Sequence, residues 1–236
     1  IDKKILVPML KDGLFFTIGG LSTMALYKSD IIILNNFFSS KDVTLYFISL
    51  KLMLLLKKMV SLFLRNLRPY ITNWYNDSKS DMLSKLIYSV NGIITILILL
   101  SLTFIFYINE SFIELWVGIE YFIGFKFTLC FAIWLFFDLK QEFLRSILVS
   151  TYMNINELAI IKVIEAIIKF AVIFILIKYL NFGFIALPIS ALFGVILSNI
   201  FYYIPSVKDK FLNLNKNRFE NYKSSCISVM LILILI

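Results

Sequence analysis

Five fixed positive charges occupy one apolar stretch, KLMLLLKKMVSLFLRNLRP, at residues 51–69: Lys51, Lys57, Lys58, Arg65 and Arg68 stand among leucines. On a helix turning about 100° per residue, Lys51, Lys58 and Arg65 fall within about 40° of one another, and all five share roughly a third of the circumference. A lysine at the middle of a bilayer costs roughly 2.5–3.5 kcal/mol on insertion scales, and the cost falls where the side chain borders water. Depth therefore separates the five. Arg65 and Arg68 read as markers of the cytoplasmic edge. Lys57 and Lys58 either snorkel to that edge or join a cavity. Lys51 needs water or an anion beside it.

Other charges follow the same pattern. Lys28 and Asp30 lie two residues apart, so they do not face each other along a helix, and each needs a partner elsewhere. Lys162, Glu165 and Lys169 recur at i, i+3 and i+7 on one face, with Glu165 and Lys169 in the favourable i, i+4 order. They read either as a self-neutralising group that ties helices together or as part of a cavity wall. DLKQEFLRS (residues 138–146) places Asp138, Glu142 and Arg145 on one face, as a solvated helix end or a site. The internal set is net positive, which attracts an anionic ligand. The candidate binding residues are thus Lys51, Lys57, Lys58, Lys169 and Lys28. Asp30, Glu165 and Asp138 are candidate charge partners or coupling acids.

Several chemistries have no residues to carry them. The 236 residues contain no His, which removes imidazole ligands and Ser-His or Cys-His nucleophile pairs. The two cysteines, Cys130 and Cys226, have no metal-type spacing. No Walker or dinucleotide-binding glycine pattern is present. No metal, cofactor or enzymatic activity is expected. The formal charge of +8 reads as cytoplasmic loops rather than nucleic-acid binding.

The elements that must position these charges are membrane helices. Hydrophobic residues make up 60% of the chain, including 24 Phe, and mean hydropathy is +0.89. A soluble domain averages about 45–50% apolar. The expected fold is all-α, a polytopic transmembrane bundle. Six full spans are read at Gly13–Phe38, Val43–Leu67, Lys85–Ile108, Phe122–Val149, Leu158–Tyr179 and Phe184–Ile204. Pro188 and Gly194 lie inside the sixth, where proline can kink a helix. Turn signals separate the spans at Asn35-Asn36, Asn76-Asp77-Ser78, Asn109-Glu110-Ser111 and Asn181-Phe182-Gly183. Residues 1–204 form one bundle and residues 205–225 a basic cytoplasmic loop. Residues 226–236 start a seventh span of about 16 Å, too short to cross, so the chain is expected to be a fragment of a longer protein. Lys3, Lys4, Lys11, Arg68, Lys79, Lys208, Lys210, Lys216, Arg218 and Lys223 fall on one side of the spans. Glu110, Glu114 and Glu120 fall on the other, with Lys41 as the main basic residue there. The N-terminus is therefore expected in the cytoplasm.

Three segments resemble a known family. FIELWVG (residues 112–118) is similar to the amphipathic turn after a helix in polysaccharide exporters. ILVSTYMNINELAIIKVIEAIIKFAVIFILIKYLNFGFIALPIS (residues 147–190) and SDIIILNNFFSSKDVTLYFISLKL (residues 29–52) look like that family's helix–turn–helix pattern. The resemblance is to the C-terminal half of O-antigen repeat-unit flippases of the multidrug/oligosaccharidyl-lipid/polysaccharide exporter superfamily. It implies two six-helix bundles around a cationic lumen, a lipid-pyrophosphate-linked oligosaccharide as substrate, and the bacterial cytoplasmic membrane as location. It also implies polysaccharide polymerases as neighbours. The alternatives are a drug or ion antiporter of the same superfamily, a membrane polymerase or ligase, and a structural subunit. The outer loops are short for the enzymes, and the charge bias is opposite to that wanted for cationic drugs.

Overall fold

The computed structural model describes residues 3–76, 80–151 and 155–211, and among these all regular structure is helical. In chain order the helices are α1 (Lys3–Phe37), α2 (Ser40–Ser49), α3 (Lys51–Asn76), α4 (Ser80–Trp116), α5 (Phe125–Thr151), α6 (Ile155–Lys178), α7 (Ala186–Ser198) and α8 (Ile204–Phe211). A π-helical stretch, Asn199–Tyr203, joins α7 to α8 without a break. Helix therefore continues past residue 204. The rest of the 205–225 loop and the partial seventh span lie outside the described residues.

Helix α5 is the axis of the bundle. It packs against α3 on one flank and α7 on the other, and α4 also touches it. Helix α6 lies between α7 and α1. The reason is compositional. Phe127, Phe131, Leu135, Phe136, Leu139, Phe143 and Ile147 bury almost completely, and even Asp138, Lys140 and Gln141 of α5 are buried. A helix apolar on all sides must be enclosed by its neighbours. The outer surface is apolar too: Leu115 is 89% exposed, Phe201 76% and Phe16 73%.

Two stretches, Ser89–Trp116 and Gly183–Val207, are long and apolar enough to cross a membrane. They overlap the third and sixth expected spans. Helix α6 has comparable length but carries Lys162, Glu165, Lys169 and Lys178.

The helix boundaries depart from the sequence reading in physical detail. The expected second span, Val43–Leu67, is two helices that part at Leu50. Ser39 and Asp42 start the first with a reciprocal capping box. At its end, the Asn109 amide donates to the Ser49 carbonyl at 3.0 Å, and the Ser49 hydroxyl donates to the Tyr121 carbonyl at 2.9 Å. These contacts from α4 and the following turn hold the break in place. Asn109 is accordingly no turn residue. It is fully buried inside α4, which runs on to Trp116. The chain leaves α4 after Trp116 and turns at Gly118, whose φ of 108° favours glycine. Asn35 and Asn36 also lie within a helix, α1. The Asn181–Gly183 turn is present, with φ of 51° at Asn181 and 58° at Gly183. Pro188 sits in the first turn of α7, where its missing N–H has no intrahelical partner to lose, so it causes no mid-helix kink.

Gly194 sets the closeness of α7 to α6. A Cβ at that position would stand 3.1 Å from both the Glu165 Cγ and the Glu165 carbonyl oxygen. The backbone of α6 cannot retreat without moving the helix. Gly194→Val is expected to lower unfolding free energy by about 1–3 kcal/mol, read as a lower midpoint in thermal denaturation of the detergent-solubilised protein.

Candidate functional site

The charges singled out from the sequence separate into an exposed row and a set of buried pairs. Helix α3 makes the separation. Met53, Leu64 and Ile71 are its buried residues and face the bundle. Lys51 and Lys58 lie about 120–160° around the helix from them, on the far side, and Arg65 about 100–120° away, on the flank, and all three are exposed. Seven-residue spacing places successive members about 10.5 Å apart along the axis. Leu55, Met59 and Leu62 share this open face. Lys28 is also exposed, on α1.

Lys57 turns the other way. Its Nζ lies 2.6 Å from the Asp138 Oδ2 on α5, 3.7 Å from the centre of the Tyr27 ring and 4.8 Å from that of Trp134. Tyr27 Oη donates to the Asp138 Oδ1 at 2.8 Å. Asp138 thus receives an ammonium and a phenol, and the aromatic faces give the lysine cation–π contacts. The Asp138 side chain is 3% exposed, so it is not the solvated helix end that its position admits. The Lys57 side chain remains 16% exposed, which leaves one edge of this pair open.

Asp30 and Lys169 form a second pair, between α1 and α6. Lys169 Nζ lies 2.6 Å from the Asp30 Oδ1 and also donates to the Leu26 carbonyl. Tyr46 Oη, on α2, donates to the Asp30 Oδ2 at 2.9 Å. The expected i, i+4 pairing of Glu165 with Lys169 is absent. Glu165 instead accepts from Lys162, its i−3 neighbour, at 2.9 Å. Lys162 also donates to the Gln141 Oε1 at 2.7 Å, and the Gln141 amide donates to Ser198 at 2.6 Å and to Glu165 at 3.2 Å. This cluster joins α5, α6 and α7. The i, i+4 order is a preference of isolated helices worth a few tenths of a kcal/mol. A carboxylate supplied by another helix outweighs it.

Sequence reasoning missed the polar residues that complete these pairs. Tyr27, Tyr46, Gln141 and Ser198 have no charge to attract notice. Lys140 is a further internal cation, buried on α5, and donates to Asn91 and Thr95 of α4. A signal was present: buried lysines and carboxylates demand hydrogen-bond partners beyond one counter-charge.

Chemically, the arrangement offers paired internal charges that an external ion can compete for, beside a row of exposed cations suited to an anion. Among the described residues, no group of His, Cys, Asp and Glu is placed to hold a metal ion.

Lys162 and Glu165 are 3% and 2% exposed in their side chains. Removing one partner of such a pair strands a buried charge, at about 3–5 kcal/mol. Lys162→Met is therefore expected to be strongly destabilised. Lys162→Met combined with Glu165→Gln is expected to regain most of the loss, a coupling that a double-mutant denaturation cycle measures.

Comparison with protein-family models, curated proteins and solved structures finds no match to this chain.

Proposed function

We propose that this helical bundle belongs to a multi-pass transporter of the bacterial cytoplasmic membrane. It is a flippase that carries a lipid-pyrophosphate-linked oligosaccharide repeat unit from the cytoplasmic to the outer leaflet. The observation that carries the reading is the row of Lys51 and Lys58 on the face of α3 turned away from the bundle, continued by Arg65 on its flank. A row of cations among exposed leucines is costly against lipid tails. It is stabilised where that face lines a wet passage through which an anion moves.

Three further features support it. Large apolar side chains cover the outside of the bundle, beyond what a water-soluble surface tolerates. Two stretches have the length and hydropathy of membrane spans. The internal carboxylates Asp30, Asp138 and Glu165 are each met by a lysine. That charge balance also weighs against an antiporter for cationic drugs. The resemblance of residues 112–118 and 147–190 to polysaccharide exporters points the same way.

Alternating access would then rock this bundle against a partner bundle. The Lys57–Asp138 pair, with its one open edge, is the internal contact best placed to exchange with a passing anion. Lys169 and Asp30 would hold α1 to α6 as the bundle moves.

Export of surface polysaccharide by cells that depend on this protein tests the reading. Lys51→Ala with Lys58→Ala is expected to reduce export at least tenfold at unchanged membrane abundance. Full export by that double variant would remove the row from the mechanism.

A further inference from the structure

At one end of the bundle, α3 and α5 border a shallow, largely open cleft of about 470 Å³ lined by Arg65, Arg68, Pro69, Thr72, Asn73, Val149 and Ser150. No carboxylate lines it. Arg145 of α5 adds a third guanidinium close enough to act on Arg68 electrostatically. Among the described residues no salt bridge reaches Arg65, Arg68 or Arg145. The Arg145 Nε is buried and has no hydrogen-bond partner among the described residues.

The cleft is built rather than incidental. Arg68 Nε donates to the Ser146 Oγ at 3.1 Å, and Ser146 Oγ donates to the Leu64 carbonyl at 3.2 Å. The Thr72 hydroxyl donates to the Ser150 carbonyl at 2.9 Å. These contacts fix the walls and orient the Arg68 fork. Burial, then the like charges of Arg145 and Arg65, hold the Arg68 guanidinium below its ordinary range, against a weaker opposite push from Glu142. Arginine nonetheless remains cationic at neutral pH. Three cations with Glu142 as their one nearby counter-charge, and no salt bridge among the described residues, leave a net positive group that an anion would stabilise.

We propose that this cleft binds a phosphate oxyanion, through the planar forks of Arg65 and Arg68 with Arg145 behind them. Guanidinium forks match phosphate oxygens two at a time, which a lysine ammonium cannot do. In the orientation proposed above, this end meets the cytoplasmic leaflet, where the phosphate of an anionic phospholipid and soluble phosphates are both at hand. The inference goes beyond the transport reading, because it concerns binding without flux.

The test uses the full-length protein in lipid nanodiscs. One arm replaces phosphatidylcholine with phosphatidylglycerol and counts retained lipid by native mass spectrometry. The other adds inorganic phosphate or pyrophosphate against chloride at equal ionic strength and reads the thermal midpoint. Retained phosphatidylglycerol assigns the site to a headgroup. A rise of several degrees with phosphate assigns it to a soluble anion. Either effect is expected to fall at least tenfold in apparent affinity for Arg65→Gln with Arg68→Gln, and to fall also for Arg68→Lys. No effect in either arm overturns the proposal. So does equal binding by the Gln double variant, or undiminished binding by Arg68→Lys, which would reduce the cleft to a diffuse positive field.

Discussion

The internal charges must be neutralised, and the way they are met governs the rest of the structure. Lys140, Lys162 and Lys169 are buried in α5 and α6 together with Asp138 and Glu165, and Lys57 of α3 and Asp30 of α1 are mostly buried. An isolated ion inside a low-dielectric bundle is prohibitive, while a paired and hydrogen-bonded one is tolerated. Each pair therefore acts as a register pin. Lys57 and Asp138 tie α3 to α5 and draw in Tyr27 of α1. Lys169 and Asp30 tie α6 to α1, with Tyr46 of α2 completing the site. The cluster around Glu165 ties α6 to α5 and α7. Such pairs add little net stability against well-packed apolar residues. Their effect is to make one arrangement of apolar helices better than its slipped alternatives.

The same constraint explains why α3 divides its cations. Its packed side is set by Met53, Leu64 and Ile71, and Lys57 lies near enough to that side to reach Asp138. Lys51 and Lys58 lie on the far side and Arg65 on the flank, and among the described residues none of the three has a salt bridge. The helix thus presents a neutralised charge inward and a cationic row outward. At its far end the row runs into the arginine cleft between α3 and α5. One helix links the proposed passage to the proposed phosphate site.

Much of this was legible in the residues. The all-helical class followed from long apolar runs, and the turn at Asn181–Gly183 followed from its glycine and asparagine. Lys57, Asp30, Glu165 and Lys169 stand out in the sequence as charges in apolar surroundings, and each is pinned in a pair; Asp138 reads equally as a solvated helix end, and its burial beside Lys57 comes from the fold. The misread asparagines share one cause. Asn35, Asn36 and Asn109 look like turn formers, because asparagine competes locally with helix. In the fold, Asn109 spends its amide on a carbonyl 60 residues away, so it sits inside a helix and breaks a different one at Leu50.

The sequence by itself determined the helical class, the apolar surface, and which helices carry charge at which angle about their own axes. Periodicity is local, and a residue's angle on its helix depends only on its neighbours in the chain. It says nothing about how that helix is rotated toward the others. Tertiary structure alone decided that Lys169 pairs with Asp30 across 139 residues rather than with Glu165 across four. It alone decided that Lys57 faces inward while Lys51 and Lys58 face out. Those outcomes depend on electrostatic pairing between distant helices in a low dielectric, where the strength of an interaction is set by spatial proximity and burial, not by separation along the chain.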